Sequence, residues 1–158
     1  LVHGGMMALV LAIFASYARH AKQRGLDRFP ILLALIVYGA GAGANLLAAT
    51  INGFAAPAAF EAGASPDVLR LYWELNQALA FGGVYATSFA FAIWGFDLLR
   101  ERGLRRYIGV MGLAAGAAPV MLLAGGVMSM NVSGAFVIYA LHAIFGLIIG
   151  ADLVRKRV

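Results

Sequence analysis

Residues Ser65–Arg102 read SPDVLRLYWELNQALAFGGVYATSFAFAIWGFDLLRER, and this stretch decides the fold. Ser65 suits an N-cap, Pro66 the first helical position, and Asp67 the positive end of a helix dipole. No further proline follows until Pro119. From Ala78 to Leu98 the only charged residue is Asp97, with Thr87 and Ser88 as small polar interruptions. A bilayer core needs about 20 apolar residues of helix, so the stretch predicts a long helix able to span a membrane. The remaining hydrophobic segments fall two before it and two after.

Composition agrees. The chain has 158 residues, is 63% hydrophobic and only 12% charged, with mean hydropathy +0.87. Soluble domains carry about 25% charged residues, and half of that cannot cover a water-facing surface. The class expected is an all-α polytopic membrane helix bundle. Cysteine is absent, which excludes disulfides, thiolate metal sites and cysteine nucleophiles. The net charge of +5 does not point to nucleic acid, because the basic residues sit in short clusters between apolar runs.

Five spans are expected in one domain, at residues 1–17, 30–51, 66–99, 107–128 and 134–153. The first is short, about 26 Å as a helix, and the start at Leu1 carries an expectation of a missing N-terminal piece. Residues 52–64, rich in Gly, Ala and Pro, read as a connection lying partly folded on the membrane surface. Pro119 removes the donor for the Ala115 carbonyl and is expected to bend its helix.

Charge sets the orientation. Arg19, Lys22, Arg24 and Arg28 lie in one loop, Arg100, Arg102, Arg105 and Arg106 in another, and Arg155, Lys156 and Arg157 in the tail. With five spans all three regions fall on one side, and only Arg70 falls on the other. The positive-inside rule makes that side cytoplasmic. The visible N-terminus is then outside and the C-terminus inside, as expected in a bacterial inner membrane. Asp97 and Asp152 lie at inner helix ends, within range of Arg100 and Arg155, and His20 reads as polar loop surface.

Small residues recur at four-residue spacing: Gly39 and Gly43, Gly112 and Gly116, Gly146 and Gly150, and Ala8 with Ala12. In lipid, close backbone approach replaces the missing hydrophobic drive between helices. These faces serve packing within the bundle or, alternatively, a homo-oligomer or a membrane-protein partner.

Polar side chains inside spans mark candidate sites. Counting about 1.5 Å per residue from the inner boundary, His3 and Asn45 lie at similar height in the outer half. Glu74 and Gln77 lie one turn apart just above the outer boundary. His3, Asn45, Glu74 and Gln77 are therefore expected to line a ligand pocket open to the outside. His3 and His142 raise a second reading, bis-histidine ligation of a b-type haem. A metal site is not expected, and no Ser-His-Asp set, phosphate loop or paired-carboxylate site stands out.

The run from His3 through Tyr17-Ala18-Arg19 to Gly25 resembles a pattern in small uncharacterised multi-span bacterial membrane proteins. In these, a histidine opens an apolar helix that ends in a tyrosine and a short basic loop. The resemblance covers the first third of the chain. It implies a further helix before Leu1 and no activity, and the long third helix departs from it.

The function expected is non-catalytic: an accessory or small-ligand-binding membrane protein, with a place as a subunit of a larger complex open to it. A haem redox protein and a small transporter are the alternatives. Against the transporter, the chain lacks a pair of broken helices in repeated halves.

Overall fold

A computed structural model describes residues 2–155; the side chains of residues 2–4, 6, 132 and 153–155 lie outside the described residues. The described chain is all helical. It comprises α1 (Val2–Arg24), α2 (Phe29–Thr50), a π-helical turn (Ile51–Ala55), α3 (Ala56–Glu61), α4 (Pro66–Leu98), α5 (Leu104–Ala124) and α6 (Val132–Arg155). Among the described residues four helical stretches are long and apolar enough to cross a membrane: Phe29–Glu61, Pro66–Leu98, Leu104–Ala124 and Ser133–Asp152. By length and composition the chain is an integral membrane protein. α1 runs apolar to Tyr17 and carries Arg19, His20, Lys22 and Arg24 in its last turns.

Several boundaries differ from expectation. Residues 52–61, expected as part of a partly folded connection, are a helical continuation of α2. Pro57 cannot donate to the carbonyl four residues back, and its ring crowds that carbonyl. The widened turn just before it absorbs the misfit, with the Ala56 N–H reaching the Ile51 carbonyl. α5 begins at once after Gly103, whose φ of +66° suits glycine. It ends at Ala124, short of the expected 128, where Gly125 and Gly126 break the helix. Ser65 takes the extended N-cap backbone but makes no side-chain cap bond. At α6 the cap is Asn131, whose Oδ1 accepts the Gly134 N–H at 2.8 Å.

The five long helices close a ring in the order α1, α2, α4, α5, α6 and back to α1. α4 is the hub. Phe91 and Trp94 on it touch Tyr17 of α1, Phe91 touches Tyr38 of α2, and Phe91 also meets Phe145 of α6. Outward-facing positions are apolar too: Phe89, Phe96, Phe136 and Leu147 are each more than half exposed. Water would not tolerate so large an apolar surface, and lipid requires it.

α4 and α5 approach backbone to backbone. A Cβ added to Gly95 would lie 2.6 Å from the Leu113 nitrogen and 2.7 Å from the Gly109 carbonyl oxygen. One added to Gly116 would lie 2.5 Å from the Ser88 carbonyl oxygen. The expected spacings therefore divide. Gly112 and Gly116 are used inside the bundle, and Gly146 abuts Ile13 at 3.1 Å. A Cβ added to Gly43 or Gly150 would meet none of the described residues of other helices within 4 Å; on α2 the tightly packed glycine is Gly41, against Thr87 and the Gly83 carbonyl.

Candidate functional site

One end of the bundle is tied together by charge. Arg24, at the end of α1, bonds Asp97 at the end of α4 through two nitrogens, and its third reaches Glu101 at 2.6 Å. Arg28, just before α2, holds the other Asp97 oxygen at 2.6 Å. Arg105 on α5 lies 3.9 Å from Glu101 and 3.8 Å from Asp152 of α6. His20 completes the set, 3.7 Å from Asp152. Asp97 sits where the α4 carbonyl ends already make the potential negative, and the two arginines offset both.

Two expectations are corrected here. Asp97 is neutralised by Arg24 and Arg28, not Arg100, whose guanidinium lies over the Phe96 ring 5.4 Å away. His20 is not loop surface: α1 continues through it and turns it inward, leaving it 1% exposed. Burial lowers its pKa to about 4, against the raising effect of Asp152. Burial alone would lower the Arg24 value, but hydrogen bonds to Asp97 and Glu101 raise it instead. The same hydrogen bond from Arg24 holds the Glu101 carboxyl below the usual range.

Above this charged end the ring is plugged by Tyr17, Tyr38, Phe91, Trp94 and Phe145. Above the plug lies a cavity of about 620 Å³ between α1, α2, α4 and α6. It extends from Asn52, Trp73 and Asn131 at the opposite end down to Tyr38, Thr87, Phe91 and His142.

Of the four residues expected to share a pocket, Asn45 and Gln77 line this cavity. Asn45 is buried, and its Oδ1 accepts the Tyr139 hydroxyl at 3.0 Å, linking α2 to α6. Gly83 makes room for it, since a Cβ there would collide with the Asn45 amide. Glu74 is not brought in. Its side chain is 61% exposed and lies 3.8 Å from Arg70, one turn earlier. The cause is helical phase: Asn76, Ala80, Gly83 and Thr87 recur at three and four residues and form the buried stripe of α4. Glu74 lies two residues from Asn76, and so on the opposite face. The His3 side chain lies outside the described residues.

Asn76, Thr87, Tyr139 and His142 also line the cavity, and sequence reasoning did not place them there. His142 sits at the deep end, with Nε2 3.1 Å from the Ser88 hydroxyl and Nδ1 3.4 Å from that of Thr87. Thr87 donates to the Gly83 carbonyl at 2.8 Å. Iron ligation would take one ring nitrogen from either Ser88 or Thr87.

No family model, curated protein or solved structure matches this chain. Its chemistry rests on the geometry alone. The described residues lining the cavity offer amides, hydroxyls and one imidazole in an apolar wall, and none is charged. A charged guest would lose its hydration without gaining a counter-charge. The arrangement therefore suits a neutral, mainly apolar molecule with one or two hydrogen-bonding groups.

Proposed function

We propose that this protein is a non-catalytic membrane protein that binds a small, neutral, mainly apolar ligand in the cavity between α1, α2, α4 and α6. The observation that carries the reading is the uncharged lining, with its polar groups concentrated on Asn45, Asn76, Gln77, Tyr139 and His142. The ligand's apolar body lies against Val10, Ile13 and Ala140, and its polar group exchanges hydrogen bonds with the amides. As a binding protein with little mass outside the membrane, it fits the role of an accessory subunit.

The test is purification in mild detergent, followed by mass spectrometry of the extracted small molecules. Ala140, half-buried in the cavity wall, is the site for a filling variant. Ala140→Phe is expected to reduce the co-purified molecule at least about tenfold, which corresponds to 1.4 kcal/mol of binding. The Tm of the stripped protein should stay within a few °C of the parent. Equal ligand content in both proteins, or only detergent in each, defeats the reading.

The topology proposed with it has five spans, α1 included, with the N-terminal end of α1 outside and the charged end in the cytoplasm of a bacterial cell. Support comes from the basic residues, eleven of twelve of which belong to the helix ends and loops around the charged end and to the tail. The chain has no native cysteine, so single cysteines report cleanly. Ala62→Cys in intact cells should react with an impermeant maleimide, and Arg102→Cys only after permeabilisation. Reaction of both from one side sinks the five-span arrangement.

A further inference from the structure

Between the aromatic plug and the charged end lie three buried polar atoms with no protein hydrogen-bond partner: the Tyr17 hydroxyl, His20 Nδ1 and Trp94 Nε1. The three residues are 2%, 1% and 1% exposed. A single orphan of this kind costs about 1–3 kcal/mol, and three together in one helix bundle call for a physical reason.

The three belong to one cluster. Tyr17 and His20 are three residues apart on α1 and share a face. Trp94 of α4 packs against both, with ring centroids 3.5 Å from Tyr17 and 4.7 Å from His20. Their hydrogen-bonding roles are complementary. The indole N–H only donates. His20 turns Nε2 toward the Asp152 carboxylate, an acceptor, so in the neutral ring Nε2 carries the proton and Nδ1 accepts. The tyrosine hydroxyl does either.

We propose that this cluster is a binding site for ordered water, one molecule or a hydrogen-bonded pair, held by Trp94, Tyr17 and His20. The water accepts the indole N–H, donates to His20 Nδ1 and takes the Tyr17 hydroxyl as its third partner. Two to four polar partners are what a buried water needs. A cation finds no carboxylate among the three groups, and an anion meets the lone pair of Nδ1. The site is separate from the ligand cavity, on the other side of the Tyr38 and Phe91 rings. Its water joins α1 to α4 at the depth where the packing changes from aromatic to ionic.

Two measurements test it. The first uses protein labelled with isotope at tryptophan, with Trp73→Phe to assign the remaining indole. The Trp94 N–H should show a magnetisation-transfer peak from a long-lived water. An indole N–H with no water contact overturns the proposal, and this reading needs no variant at the site. The second is Tyr17→Phe. If the hydroxyl holds water, its removal leaves that water short of a partner, and Tm falls by a few °C. If the hydroxyl is merely orphaned, its removal relieves a desolvation cost and Tm stays level or rises, which also overturns the proposal.

Discussion

Gly95→Leu is expected to prevent α4 and α5 from docking. The neighbours of the added Cβ are the Leu113 nitrogen, the Gly109 carbonyl oxygen and the Gly112 carbonyl carbon, the last at 2.9 Å. These are main-chain atoms of a helix, so none can swing aside as the end of a side chain would. Overpacking a core costs about 1–3 kcal/mol when side chains can adjust; a backbone contact puts this substitution at or above that range. Helices in lipid have no hydrophobic drive to compensate for lost close packing. The measurement is thermal unfolding in mild detergent with size-exclusion analysis, and the expected result is an aggregated or much less stable protein. Gly43→Leu is the control. Among the described residues nothing lies within 4 Å of a Cβ built at that position, so its Tm should stay close to that of the parent. Equal Tm values for the two variants would mean that the α4–α5 seam does not hold the bundle.

Asp97→Asn should be the second most damaging single change. Asp97 is 3% exposed and accepts from both Arg24 and Arg28. Arg24 is itself only 6% exposed, so removing the carboxylate leaves a desolvated guanidinium with Glu101 as its remaining partner. Breaking a buried pair from one side costs about 3–5 kcal/mol. Replacing both partners with apolar groups of similar volume is often close to neutral. Asp97→Leu combined with Arg24→Met is therefore expected to lose less stability than either single variant. A double-mutant cycle in detergent reads this coupling directly. Additive losses would show that Arg24 and Asp97 act independently, and that the charged end does not clasp the helices.

The helices were legible in the sequence because what specifies them is local. A run of apolar residues of bilayer length, bounded by Pro66 and by Arg100–Arg106, makes a helix such as α4 whatever surrounds it. The grouping of basic residues near one set of helix ends is equally local. The contacts among Arg24, Arg28, Asp97, Arg105 and Asp152 bring these helix ends together in the structure. The helical extension through Pro57 was not legible. Gly, Ala and Pro are also what a loop would contain, and the widened turn that rescues the helix depends on neighbouring backbone.

The rotation of each helix about its own axis was hidden, for a reason peculiar to membranes. In water, an apolar stripe on a polar helix marks the buried face. Here the lipid-facing residues, such as Phe89 and Leu147, are as apolar as the packed ones, such as Phe91 and Phe145. Depth along each helix could be counted from the sequence, and Asn45 and Gln77, expected on that count to share a pocket, do line one cavity. Direction could not be counted in the same way. Glu74 shares the height of Asn76 and Gln77 but points away from the cavity, and His142 finds Ser88 and Thr87 only through the closure of the ring. Run length and charge determine which segments are helices and which ends come together; helix phase and ring order, set by the glycine contacts between α4 and α5, decide which side chains share a cavity.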